Sequence, residues 1–391
     1  MLRSYWKDMG TAKFEINGIA RIDAKTKRLV QRLRKGEIAV IDHKDIDITS
    51  AQLLLEKRPS AIINLSPSIS GEYPSEGARL LLKNSIPILD LEEGKLDGEI
   101  EGKRIEIRGN EVLLDGRVIG KGRWLSEEEV EEKMEEGRRR LGVLLDDFVR
   151  NTLDYLEREK DFFLQEKAPF PELRTKMEGK EVVVVVRGRN YKEDLGALRH
   201  YIEDVEPILI GVDGGADALL EMGYKPHIII GDMDSVSSTA LQSGAELIAH
   251  AYPQPDKPSP GVERLRKMGI PFQVISFPGL SEDLALLLAY EKGAKLIVIV
   301  GGHNDLLDFL EKGRRGMSST FLTRLKVGSL LVDAKGVSNL YRKRLKPIHI
   351  FLLVIAALIP TFLLIFISPS VRDVLNLFLL RLWTFLRSLK P

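Results

Sequence analysis

Short apolar runs separated by stretches of helical spacing occupy residues 1–122: IAVI at 38–41, AIINL at 61–65 and IPIL at 86–89. Runs of this length bounded by polar turns read as buried strands. RIEIRGNEVLLDGRVIG (104–120) alternates around Gly and Asp and reads as a hairpin. A small N-terminal α/β domain is expected over 1–122.

The period then changes. Over 123–179 a long helical connector is expected, opened by Ser126-x-x-Glu129, a capping-box signature, and closed by Ala168-Pro169-Phe170-Pro171. Met134, Leu141, Leu145, Phe148, Thr152, Leu156 and Phe163 form a stripe at helical spacing on a helix about 60 Å long. Such a helix cannot bury its stripe alone. It either packs across both flanking domains or pairs with a copy of itself in a homodimer.

From 180 to 345 continuous apolar runs alternate with helical segments: VVVVV (182–186), ILIGV (208–212), HIIIG (227–231), ELIAH (246–250), FQVISF (272–277) and KLIVIV (295–300). Strands without polar alternation are covered on both faces, which predicts a doubly wound, mostly parallel α/β domain.

IHIFLLVIAALIPTFLLIFI (348–367) carries no formal charge and at 1.5 Å per residue spans about 30 Å, so a transmembrane helix is expected over 346–368. Arg342, Lys343, Arg344 and Lys346 precede it and belong on the cytoplasmic side. Residues 369–391 read as an amphipathic interfacial helix; a second span would set Arg381 near mid-bilayer. The expected location is the cell membrane, single-pass, with the N-terminal domains cytoplasmic and the lipid bilayer as a partner.

Composition narrows the chemistry. There is no cysteine, which excludes disulfides, thiolate nucleophiles and Cys-built metal sites. A formal charge of +1 supplies no long-range field for nucleic acid, so none is expected as a partner. No apolar run resembling a signal peptide opens the sequence.

In open parallel sheets ligands bind beyond the carboxyl ends of the strands, where this sequence concentrates its carboxylates. ILIGV runs into Asp213-Gly214-Gly215, and HIIIG into Asp232-Met233-Asp234-Ser235. Converging carboxylates repel unless a hard cation such as Mg²⁺ bridges them, and glycines let backbone N–H groups approach phosphate. Two further strand ends supply Ser281 and Asp283 within Pro278–Asp283, and Gly301, Gly302 and Asp305 with His303 between them. His303 reads as a ligand, a base or a structural residue. Two other segments could hold a metal or phosphate, or simply connect elements: Asp42–Asp47 (DHKDID) and the 66–77 loop SPSISGEYPSEG. Arg314 and Arg315, followed by Ser318, Ser319 and Thr320, could bind phosphate or face solvent.

GVDGGADALLEMGYKPHIIIGDMDS (211–235) resembles the nucleotide-binding half of thiamine pyrophosphokinases. That resemblance implies Asp213, Asp232 and Asp234 as Mg²⁺ carboxylates, Gly214, Gly215 and Ser235 beside phosphate, and an ATP-like nucleotide as cofactor. The later motifs depart from it. Gly279 and Glu282 stand where those enzymes carry the Lys and Thr of Lys-x-x-Thr-Asp, and His303 stands for the Arg of Gly-Gly-Arg-x-Asp-His. GLSEDLALLLAYEKGAKLIVIVGGH, GRRGMSSTFLTRLKVGSLLVDAKGVSNLYR, GEIAVIDHKDID and SISGEYP, with the terminal apolar segment, are similar to the SteA family. This second resemblance implies a cytokinetic-ring scaffold or regulator working with a second membrane protein of the division machinery. An active Mg²⁺-dependent phosphoryl or pyrophosphoryl transferase is the alternative.

Overall fold

The computed structural model describes residues 15–164, 170–251, 260–303, 305–311, 313–335 and 347–388. Asn304, the close of the long connector at 165–169 and the basic cluster at 342–346 lie outside them. The chain divides into two compact units, 1–338 and 339–391.

The first unit begins with a closed barrel. Its strands are β1 (Glu15–Asp23), β2 (Ile38–Ile41), β3 (Ala61–Asn64), β4 (Ile88–Gly94), β5 (Arg104–Arg108), β6 (Glu111–Leu114) and β7 (Arg117–Trp124), in the order β1-β2-β3-β4-β7-β6-β5. Strands β1 to β4 run parallel, linked by α1 (Thr26–Arg32), α2 (Ile48–Lys57) and α3 (Gly77–Lys83). Alternation along each strand sends Ile38, Val40, Ala61, Ile63 and Leu89 to the interior. Ala39, Ile41, Ile62 and Ile88 pack outward under the helices.

The fold expected for 1–122, a small α/β domain with a hairpin over 104–120, is thereby corrected to a closed barrel. β1 pairs parallel with β2 on one side and antiparallel with β5 on the other, so the hairpin becomes barrel wall and both sheet edges vanish. In EINGIARID apolar residues alternate with Glu15, Asn17, Arg21 and Asp23, so no continuous run marks the closing strand.

A helix of 38 residues, α4 (Glu127–Leu164), follows. Val130 and Met134 join the barrel's helical layer, Phe148 packs with Leu280 and Phe309, and Phe163 enters the core of the second sheet. The Met317 N–H donates to Thr152 Oγ1 at 3.1 Å. Within one chain the helix therefore packs across both flanking parts, while Val143, Leu145, Val149 and Leu153 remain exposed.

The second sheet comprises β8 (Glu181–Val186), β9 (Ile208–Val212), β10 (Ile228–Gly231), β11 (Glu246–Ala251), β12 (Gln273–Ser276), β13 (Leu296–Val300) and β14 (Leu331–Asp333), in the order β12-β11-β10-β9-β8-β13-β14. Every neighbouring pair is parallel. The connecting helices are α5 (Tyr191–Ala197), α6 (Arg199–Val205), α7 (Gly215–Glu221), α8 (Ser238–Leu241), α9 (Pro260–Met268), α10 (Ser281–Glu291), α11 (Leu306–Glu311) and α12 (Ser318–Val327). Residues of α5, α6 and α7 and of α8 and α9 pack on one face, and α10 with Val327 of α12 on the other. Strand order reverses between β8 and β13, which opens a crevice beyond their carboxyl ends.

The second unit holds α13 (Pro347–Ile367) and α14 (Pro369–Ser388). Among the described residues no helix is long and apolar enough to cross a membrane. The expected transmembrane helix at 346–368, and with it the single-pass cell-membrane location, is therefore corrected. In α14, Arg372, Asp373, Arg381 and Arg387 interrupt the apolar positions.

Candidate functional site

A cavity of about 370 Å³ lies at the reversal of strand order. The sheet contributes Val186, Arg187, Val212, Asp213, Gly214, Asp232, Ser235, Ser281, Glu282 and His303, and the segment after β13 adds Asp308, Glu311 and Arg314. The barrel's connections close it with Lys27, Asp47 and Thr49.

Each strand end delivers its residue by a local device. Asp213 leaves β9 with φ +46°, its N–H donating to the Ile230 carbonyl at 2.9 Å. Its carboxylate occupies the place of a side chain at Gly231: a Cβ there would lie 1.8 Å from Asp213 Oδ1. Gly215 lets the first turn of α7 press on β8, since a Cβ would meet the Val185 carbonyl oxygen at 1.8 Å. The Asp234 N–H donates to Asp232 Oδ1 at 2.9 Å, folding the 232–235 turn.

The residues expected as site components separate into two groups. Asp213, Gly214, Asp232, Ser235 and Ser281 line the cavity. Asp234 instead accepts an ion pair from Lys25 Nζ of the barrel at 2.8 Å. Asp283 is fully buried and accepts from the hydroxyls of Ser319 (2.8 Å) and Thr320 (2.9 Å), tying α10 to α12. Burial, reinforced by neighbouring Glu282, pushes its carboxyl up. Gly301, with φ +67°, lets the loop after β13 touch the Val186 carbonyl, and Gly302 packs over Ile299. Asp305 accepts from the Asp308 N–H at 2.8 Å at the start of α11 and pairs with Lys335 at 3.3 Å.

Among the described residues no group of three or more His, Asp or Glu is placed to hold a metal ion. Asp213 and Asp232 share the cavity, however, and Mg²⁺ is commonly held by one or two carboxylates together with substrate phosphates and water. The donor set fits a cation brought in with a phosphate ligand.

Arg187, Glu311 and His250 at the site are not singled out by the sequence, whereas Asp47 belongs to the DHKDID segment. Arg187 closes β8 with a side chain only 9% exposed; Nη2 donates to Glu221 at 2.5 Å, and the buried Nε has no hydrogen-bond partner among the described residues. Its place directly after the VVVVV run was the available signal. Glu311 lines the same cavity as Asp47 and Asp308, and burial followed by the charge of these carboxylates pushes it up to about 8. Burial alone would raise Asp47, but His43 and Ser50 hold it well below the usual range. His250, at the end of β11, places Nδ1 2.9 Å from Ser281 Oγ.

The two departures in the later motifs meet each other. His303 Nδ1 lies 2.6 Å from Glu282 Oε2, and the His303 N–H donates to Glu282 Oε1 at 3.2 Å. Both side chains are buried, forming a carboxylate–imidazole pair on the cavity wall.

The other two segments weighed from sequence bind one another. Asp45 accepts from the Ser70 N–H (2.6 Å) and hydroxyl (2.9 Å), Asp42 from the Ser66 hydroxyl, and Asp47 from the Ser50 N–H at 2.6 Å. Most DHKDID carboxylates thus fasten the 66–77 loop, and Asp47 alone also lines the cavity. Of the 313–320 segment, Arg314 lines the cavity and Ser318 donates to Glu159 at 2.6 Å.

Two family models match the chain: the thiamin pyrophosphokinase catalytic domain over 198–264 and the SteA-like C-terminal domain over 335–386. No curated protein matches it at a significant level. Among solved structures, a thiamine pyrophosphokinase from Bacillus subtilis aligns at 23% identity over 38% of this chain, with a TM-score of 0.23. The chain spans 57% of that enzyme's length. A pyruvate reductase of Chlamydomonas reinhardtii (12% identity, 82% of this chain and 86% of that one, TM-score 0.15) and D-lactate dehydrogenase from Escherichia coli (10%, 80% and 85%, 0.14) also align. The chain thus carries a thiamin pyrophosphokinase-like domain and a SteA-like C-terminal domain, the two families its motifs resemble.

Proposed function

We propose that this chain is a ligand-responsive regulator of cell division whose pyrophosphokinase-like domain binds a Mg²⁺-nucleotide or a related phosphorylated ligand. Arg187 carries this reading: a buried guanidinium at the strand-order reversal whose Nε has no partner among the described residues. Orphaned buried donors are rare in folded proteins and are explained by a ligand or water that completes them. Arg314 and Lys27 add positive charge around the same cavity, and Asp213 and Asp232 supply oxygen donors for the accompanying cation. Because Lys27, Asp47 and Thr49 come from the barrel, a seated ligand touches both halves of the first unit and biases how they engage. The division role and a second protein of that machinery follow from the SteA likeness.

Calorimetry of the whole protein with Mg²⁺ and a panel of nucleotides tests the reading. Saturable binding that weakens in Arg187→Ala and Asp232→Asn is expected; absence of binding to every nucleotide and to inorganic pyrophosphate would remove it.

The second reading, a Mg²⁺-dependent transferase on a separate acceptor, is favoured by Asp213 and Asp232 facing one cavity. Steady AMP or ADP release that disappears in Asp232→Asn would select it.

A further inference from the structure

Ser281 and His250 form a pair whose proton positions follow from its partners. His250 Nε2 lies 2.9 Å from the Phe277 carbonyl oxygen, which can only accept, so Nε2 carries a hydrogen. His250 is 2% exposed, and burial, with Arg314 nearby, pushes its pKa down and keeps the ring neutral. Nδ1 is then an acceptor, and the Ser281 hydroxyl 2.9 Å away donates to it. A serine whose proton points at a neutral imidazole of fixed tautomer, in a cavity that also holds Arg187 and Arg314, has the arrangement of an activated nucleophile.

We infer that Ser281 is a phosphoryl acceptor within the chain, modified by a nucleoside triphosphate in the cavity. This rests on the nucleotide-binding reading above. Ser281 Oγ forms a bond to the terminal phosphorus as the bridging P–O bond breaks. The hydroxyl proton passes to His250 Nδ1, and the electron pair of the broken bond leaves on the nucleoside diphosphate. Arg187 and Arg314 face the charge that develops on the phosphate oxygens. Ser281 opens α10, a helix of 11 residues whose N-terminal dipole favours the phosphoserine that forms. His250 lies far along the chain from Ser281, at the end of another strand, so no local motif announces the pair.

The test is acid-quenched intact-mass spectrometry and peptide mapping of the full chain incubated with Mg²⁺ and ATP, with calorimetry on the same samples. One added phosphoryl group on Ser281 is expected. It should be absent in Ser281→Ala, and Ser281→Thr, which keeps a hydroxyl, should recover part of it. His250→Gln, which keeps a donor for the Phe277 carbonyl, should slow its formation about tenfold or more without weakening ATP binding. ATP binding with no adduct on Ser281, or an adduct formed equally fast in His250→Gln, overturns the inference and leaves the nucleotide reading standing. No ATP binding at all overturns the inference, and the nucleotide reading falls with it only when every other nucleotide and inorganic pyrophosphate also fail to bind.

Discussion

Gly231 and Asp213 compete for one volume. A methyl group at Gly231 would sit 1.8 Å from Asp213 Oδ1, on a residue whose φ of +156° already disfavours a side chain. Gly231→Ala should therefore act through its neighbour, driving the Asp213 carboxylate away from the cavity. Overpacking of this kind costs about 1–3 kcal/mol, and Mg²⁺-nucleotide affinity should fall about tenfold or more. Urea denaturation and calorimetry on the same variant separate the two effects. Glu311 yields a second prediction. Its carboxyl is pushed from 4.5 up to about 8 by burial and by Asp47 and Asp308, so across that window the folded chain holds a proton that the unfolded chain has released. Stability must then fall as pH rises between those values. Glu311→Gln should flatten this slope when urea unfolding is compared at about pH 5 and about pH 9, the larger gain appearing at the alkaline end. Asp47 works in the opposite sense: it is held low by His43 and Ser50, and its contribution is lost only in acid.

Phe148 of α4 shows how an element reaches the site without touching it. Its ring lies 5.7 Å from that of Phe309 and packs on Leu280, the residue before Ser281. Phe148→Ala should cost about 3–5 kcal/mol and loosen the start of α10, weakening nucleotide binding as well as raising urea sensitivity. A stability loss with unchanged affinity would limit α4 to a structural strut. Strands of the second sheet were legible in sequence because burial on both faces leaves continuous runs such as VVVVV and KLIVIV. Half of the Ser126–Glu129 capping box was legible too: the Glu129 N–H donates to Ser126 Oγ at 3.1 Å, but the Glu129 carboxylate turns to Arg123. The closing strand β1 was not, because a half-buried strand rich in charged residues looks like surface until its partners are known. In the site, Asp213 and Asp232 stood out because glycine-flanked acids after apolar runs are unusual. Arg187, His250 and the Lys25–Asp234 pair depend on which strand ends and loops become neighbours, and spacing along the chain does not encode that.

Across the first unit, the barrel and the parallel sheet meet at the rim that bears the cavity. Lys25 pairs with Asp234, Glu76 with Arg189 and Glu56 with Lys192, and Gln31 Nε2 donates to the Ser235 carbonyl at 3.4 Å. Exposed ion pairs are worth about 0–1 kcal/mol each, so a ligand with modest preference for one arrangement can exchange them. The Lys25–Asp234 pair bears directly on metal binding, because Asp234 belongs to the same tight turn as Asp232 and is occupied by a cation from the barrel rather than by one in the cavity. Removing that lysine charge should make the third carboxylate available. Lys25→Met is expected to tighten Mn²⁺ binding, read by electron paramagnetic resonance, by about tenfold, the equivalent of one added ligand worth about 1.4 kcal/mol. Folding stability should change by less than about 1 kcal/mol. Lys25→Arg, which keeps the pair, should leave the affinity unchanged, and Asp234→Asn added to Lys25→Met should abolish the gain. If Mn²⁺ affinity instead stays constant through all three variants, Asp234 is a hinge contact of the barrel alone, and the cation site consists of Asp213 and Asp232 with ligand oxygens.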